Sequence, residues 1–276
     1  VPSDQLRRSL KQLLVVKQGL ALLNVHILSF HQLALQLDRE RRTAARGAGA
    51  ERRIELVTDM FFERLLQHLA QRNVPQTGAL RLPELPSGAW PALWASLRDL
   101  KDATVDSALA LRAVEEGQFP PEDSEKLRGL LTLYAALREG SAALGVGSPD
   151  DLTALVTDCV STSPFLRGLA GLWYYGSYDL TQTQLTLLEA LSVSLPLTVY
   201  FPLGEQPAYG FARQFLERHL YPIAGGSGER SRMTSGDSAP DSQKVNVSVE
   251  VRNAAGLDDE LTLVCKQILS LVETNG

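Results

Sequence analysis

Strand-like runs occur in four places, and the first two are separated by a long stretch of almost pure helical periodicity. That uneven spacing limits the possible folds more than any other feature of the chain. The runs are residues 25–30 (VHILSF), 170–175 (AGLWYY), 197–201 (LTVYF) and 245–251 (VNVSVEV). Each is short, apolar and rich in β-branched or aromatic side chains, as a buried strand requires. The last three are each followed by a helical stretch, an alternation expected of a largely parallel sheet covered by helices. The pattern predicts an α/β fold: residues 1–45 and 166–276 supply the α/β domain, and residues 46–165 form a large all-helical insertion between the first two strands.

The helical readings rest on spacing. Ser3 is placed to cap a first helix carrying Leu6, Leu10, Leu13 and Leu14, and Gly19 is placed to end it. Within the insertion, Leu56, Met60 and Leu65 are expected on one stripe, and Leu127, Leu130, Tyr134 and Leu137 on another. Pro- and Gly-bearing breaks are expected at 46–50, 75–88, 117–121 and 140–149, with no regular period that would indicate a solenoid. Trp90 and Trp94 are expected in the core. Residues 225–244 are polar and rich in Gly and Ser, and are expected to form a mobile loop.

Composition excludes several classes. With 276 residues, 44% of them hydrophobic, the chain can bury a sizeable core. A net charge of -5 does not suit a nucleic-acid coat protein, so any DNA contact must be local. The arginines at 39, 41, 42, 46, 52 and 53 are diluted by Asp38, Glu40 and Glu51, and read as a solvated helix end and loop. Cys159 and Cys265 show no CxxC spacing, so they are expected to be small core residues in a reducing, cytoplasmic setting rather than metal ligands. The apolar stretch at 185–203 is interrupted by Glu189, Ser192, Ser194 and Pro196, so no membrane span is expected. Asp150 with Asp151, and Asp258 with Asp259 and Glu260, read as acidic first turns of helices and not as metal pairs. The chain opens on Val1 with no leader before the first helical pattern, and we expect a fragment of a longer protein.

ATP-driven motors need amides and a lysine around the phosphates, a carboxylate for magnesium and a second carboxylate to activate water. No G-x-x-x-x-G-K-[ST] occurs, and the Gly-rich run at 225–228 leads into Glu229 and Arg230. Residues 172–188 (LWYYGSYDLTQTQLTLL) read on their own as a buried strand, a turn at Gly176 and a helix capped by Asp179 or Thr181.

That segment resembles the Walker B region of UvrD-like superfamily 1 helicases, where an apolar strand runs into V-D-E-F-Q-D-T-N and a glutamine follows. Aligned on Asp179 and Gln184, the magnesium carboxylate falls on Tyr175 and the water-activating glutamate on Gly176. Neither residue can do what the carboxylate does. Three further pieces resemble the same family in the same order. Ser29-Phe30-His31 is similar to the T-F-H that contacts single-stranded DNA. Residues 197–213 (LTVYFPLGEQPAYGFAR) are similar to V-G-D-x-x-Q-S-I-Y-G-[WF]-R-G, with Gln206, Tyr209, Gly210 and Phe211 kept, the Gly-Asp pair lost and Ala212 where an arginine stands. Residues 249–268 are similar to the N-Y-R-S region, with Asn253 kept and Ala255 at the arginine position.

Within that superfamily the chain most resembles AddB-type subunits of helicase–nucleases and related proteins linked to a PD-(D/E)XK nuclease, sharing the Leu-Lys-Asp-Ala stretch at 100–103. The resemblance implies a P-loop NTPase-like sheet, without its Walker A segment, whose nucleotide site at Tyr175, Gly176, Asp179, Gln184 and Gln206 is degenerate. It further implies a catalytically inactive scaffold contacting single-stranded or unwinding DNA through Phe30, His31, Tyr209, Phe211 and Arg213, with a second helicase–nuclease subunit as a partner. No cofactor is expected in this chain; ATP and magnesium enter only if a P-loop precedes Val1, and nuclease activity only if that domain follows Gly276. Two alternatives stay open: a residual ATP-binding domain completed by such a P-loop, and a protein-interaction domain with no nucleic-acid role.

Overall fold

The computed structural model describes residues 4–17, 19, 21, 24–44, 53–71, 80, 86, 88–175, 180–200 and 210–224. The expected strand at 245–251, the loop at 225–244, Cys265 and the acidic turn at 258–260 lie outside the described residues. In chain order the elements are α1 (Asp4–Lys11), α2 (Phe30–Ala44), β1 (Glu55–Leu56), α3 (Asp59–Gln71), α4 (Ala89–Asp102), α5 (Ser107–Glu115), α6 (Pro121–Leu144), β2 (Val146–Gly147), α7 (Pro149–Thr157), α8 (Pro164–Arg167), β3 (Leu172–Tyr175), α9 (Gln182–Ser194), β4 (Leu197–Tyr200), α10 (Gly210–Phe215) and α11 (Tyr221–Ala224). Helix predominates, and the strands make two separate parallel pairs, β1 with β2 and β3 with β4. The chain divides into two compact units. A strand–helix unit comprises Val1–Thr43, Val156–Leu180 and Gln184–Gly276, and a helical unit comprises Ala44–Leu155 with Thr181–Thr183.

In the strand–helix unit, β3 and β4 run parallel with Leu172 opposite Leu197 and Tyr175 opposite Tyr200, and α9 lies between them in sequence. This is the strand–helix–strand alternation expected for 170–201. The expected strand at 25–30 does not form: residues 25–29 pair with no strand among the described residues, and Phe30 is already helical. A reciprocal capping box explains the difference. The Ser29 amide donates to Gln32 Oε1 at 3.1 Å, and the Gln32 amide donates to Ser29 Oγ at 3.3 Å. This pair satisfies two backbone donors that a strand ending there would leave open, so it starts a helix in an otherwise strand-like composition. Helix α2 then buries Leu33, Ala34 and Leu37, the i, i+1, i+4 rows of one face.

The helical unit is built on α3, α4 and α6. Phe62 stacks on Trp94 with ring centroids 4.4 Å apart and planes 11° from parallel, and Trp90, Leu97, Leu133 and Tyr134 complete the core around them. Both tryptophans are core residues, as expected. The expected stripe of Leu56, Met60 and Leu65 is not observed, because Leu56 lies on β1 and Met60 is 69% exposed. Five residues turn a helix roughly 140° past a full turn, so Met60 and Leu65 cannot share a face; the buried row is Phe62, Leu65, Leu66 and Ala70.

A second difference concerns the expected break at 140–149. Helix α6 runs through Gly140 and stops at Gly145, whose φ of 67° supplies the left-handed C-cap. An interior glycine costs only about 1 kcal/mol, which a helix of 24 residues absorbs. The break at 117–121 does separate α5 from α6. Beyond Gly145, β1 and β2 pair in parallel, and a Cβ on Gly147 would lie 2.7 Å from Ile54 Cγ2 and 2.9 Å from Asp151 Cβ. Only glycine fits there.

Candidate functional site

Tyr175, the last residue of β3, stands where the resemblance would require the magnesium carboxylate. It is 6% exposed and packs with Leu10, against which Leu6, Leu13, Ile27 and Tyr200 are also placed. The Tyr175 and Tyr200 rings are 6.5 Å apart. Leu6, Leu10 and Leu13 fall on one face of α1 and its π-helical continuation at Gln12–Lys17 because they recur every three or four residues. Among the described residues the strand end therefore meets an apolar and phenolic cluster with no carboxylate in it. Gln184 lies half-buried on α9, while Gly176, Asp179 and Gln206 lie outside the described residues.

Beside this cluster is a cavity of about 190 Å³, lined in part by Phe30, Phe165, Trp173, Tyr174 and Leu188, with no Asp or Glu among the described residues of its wall. Phe30 and Tyr174 meet at 5.5 Å between ring centroids, so Phe30 is directed at the cavity wall. Burial pushes the Tyr174 hydroxyl well above its ordinary value, which keeps it protonated and removes it as a base near neutral pH. His31 is one of the residues that the resemblance assigns to DNA contact. Its Nδ1 is buried with no hydrogen-bond partner among the described residues.

Of the remaining expected DNA contacts, Phe211 is 52% exposed and Arg213 is exposed, both on α10; Tyr209 lies outside the described residues. In the arginine cluster, Asp38 accepts from Arg41 at 2.8 Å and from Arg42, so two of the cations are neutralised within α2. Glu40 accepts from Ser163 Oγ at 2.5 Å and from the Phe165 amide at 3.0 Å, which ties α2 to the start of α8. Arg39 and Arg53 are exposed, and Arg46 and Arg52 lie outside the described residues. Among the described residues no three His, Cys, Asp or Glu side chains form a metal-binding group, and no helix is long and apolar enough to cross a membrane.

No family model matches the chain, and no curated protein matches it.

One charged cluster was not anticipated from the sequence. In the helical unit, Lys101 Nζ donates to Asp151 Oδ2 and to Ser148 Oγ, both at 2.6 Å, and lies 5.4 Å from the centre of the Phe62 ring. Asp151 Oδ2 also accepts the Ser148 amide at 2.7 Å, so the expected acidic first turn of α7 is a capping box that doubles as a lysine site. Next to Lys101, Asp102 is pushed up to about 6, first by burial and then by the charge of Asp150, against the pull of Lys101. Asp102 Oδ1 has no hydrogen-bond partner among the described residues. Burial likewise raises Asp150. The sequence signals for this cluster are the adjacent cation and acid of the Leu-Lys-Asp-Ala stretch, with Lys101 continuing the buried face of Trp94 and Leu97, and the acidic turn at Asp150 and Asp151.

Proposed function

We propose that this chain is a catalytically inactive, helicase-like scaffold that contacts single-stranded DNA within a repair or recombination helicase–nuclease. The observation that carries the proposal is Tyr175: a phenol embedded among Leu10, Leu6 and Ile27 takes the place of a magnesium-binding carboxylate at the end of a parallel strand. A parallel β3–β4 pair with a helix between the strands is consistent with the helicase-like reading, as is the ordered set of degraded motifs. DNA contact is supported by the exposed Phe211 ring and the exposed Arg213 on α10, which point to different sides of the helix and so offer two separate contacts. A stacked base is worth roughly 1–3 kcal/mol and needs no particular sequence.

Fluorescence anisotropy with labelled single-stranded DNA tests the proposal. Binding should weaken as salt rises, and Phe211→Ala with Arg213→Gln should reduce affinity at least tenfold. Absence of binding at low salt would remove the DNA-scaffold reading. A protein-interaction role is the second reading, favoured by Met60 and Phe61, which stand 69% and 37% exposed at the start of α3. It predicts no DNA binding and self-association or partner binding lost on Met60→Ser with Phe61→Ser.

A further inference from the structure

We propose that a cleft between α1 and α2 holds the backbone of single-stranded DNA, an inference that rests on the DNA-scaffold reading and gives it a second contact surface. The cleft has a volume of about 440 Å³. One wall carries Arg7 and Lys11 of α1, and the other carries Gln32, Gln36 and Arg39 of α2. Both rows follow from helical spacing. Residues four apart share a face, as do residues 32, 36 and 39, and the α2 row extends for about 10 Å along its axis. Leu33, Ala34 and Leu37 take the buried face of the same helix.

The charges are arranged to leave cations available. Asp38 and Glu40 flank Arg39 in sequence, but Asp38 is occupied by Arg41 and Arg42, and Glu40 by Ser163 and the Phe165 amide. Lys11 and Arg39 are exposed and form no ion pair among the described residues. Asp4 is the acid at the rim: it accepts from Arg7 Nε at 3.0 Å and from Gln32 Nε2 at 3.4 Å, so a phosphate must compete with it for Arg7. An acidic chain that keeps two cations without an ion pair, and the Gln36 amide, along one cleft is complementary to a line of phosphates, which Arg and Lys neutralise and Gln orients.

The apolar part of the lining selects a single strand over a duplex. Leu28, Leu35 and Phe165 also line the cleft, and the Phe165 ring meets His26 edge-on at 5.1 Å. An apolar, partly aromatic surface beside cations and amides can receive an unstacked base, whereas a duplex keeps its bases stacked inside and offers only phosphates.

The test uses the intact chain, a fluorescein-labelled oligothymidylate and a salt titration followed by anisotropy. Each phosphate contact on a single strand adds about 0.7 to the slope of log affinity against log salt. Lys11→Gln with Arg39→Gln should therefore lower the slope by about 1.4, removing a roughly sevenfold loss of affinity between 50 and 200 mM salt. Arg39→Lys, which keeps the charge, should retain the slope. Arg112→Gln with Lys126→Gln removes equal charge from exposed positions of the helical unit and should leave the slope unchanged. If the double cleft variant binds with the wild-type slope while Phe211→Ala with Arg213→Gln weakens binding, the cleft is refuted and the DNA-scaffold reading survives. If the wild-type chain binds no single strand, both fall. Equal affinity for a duplex of the same length overturns the assignment to a single strand.

Discussion

Replacing Asp102 with asparagine should make the helical unit more stable at neutral pH and leave it nearly unchanged in acid. The Asp102 carboxyl titrates at about 6 in the folded chain, against 3.8 for an unperturbed aspartate. Between those values the folded state binds a proton that the unfolded state has released, so stability falls as pH rises through this window. The gap corresponds to roughly 3 kcal/mol. Asp102 is only partly buried, and solvent screening reduces this to about 1–1.5 kcal/mol. Asparagine keeps the shape, removes the charge and cannot titrate. Urea unfolding followed by tryptophan emission is a suitable assay, because Trp90 and Trp94 lie on the same helix as Asp102. The stability of Asp102→Asn relative to wild type should rise by about 1–1.5 kcal/mol between pH 4 and pH 7.5. A difference that stays constant with pH, or that falls, would refute burial and Asp150 as the source of the raised titration.

Lys101→Met removes the cation that faces Asp151 and moderates Asp102 and Asp150. It should cost about 3 kcal/mol at pH 7.5 and clearly less at pH 4.5, where more of the carboxylates are protonated; equal losses at both pH values in urea unfolding would argue against the charge account. Ser29→Ala breaks the capping box with Gln32 and should destabilise the strand–helix unit by about 1 kcal/mol, with Ser29→Thr retaining most of the stability. Thermal unfolding monitored through Trp173 reads this directly, and an unchanged transition in the alanine variant would remove the capping explanation for the start of α2.

The parts of the fold that were legible in the sequence are those fixed by local chemistry. β3 and β4 announce themselves because leucine, aromatic and β-branched residues run without interruption before a helical pattern. The acidic turn at Asp150 and Asp151 is likewise local. The segment at 25–30 has a strand's composition, yet Ser29 and Gln32 three residues later carried the helix-start signal, and the side-chain cap outweighs the propensity of the preceding residues. Met60 misled because a stripe has meaning only once the helix start is known. The pairing of Lys101 with Ser148 and Asp151 could not be read from spacing: these partners are 47 and 50 residues away, brought together by the packing of the helical unit. Tyr175 could be read from the sequence as the end of an apolar strand, but its enclosure by Leu10 depends on α1 packing over the strand end, which no spacing rule encodes.

A phenol at Tyr175 cannot bind magnesium as a carboxylate does. Magnesium-dependent ATP hydrolysis by the folded chain, measured with and without single-stranded DNA, tests it most directly. We predict phosphate release no faster than in the protein-free control under both conditions. DNA-stimulated turnover that is lost on Tyr175→Ala, in a variant that still folds, would contradict the account.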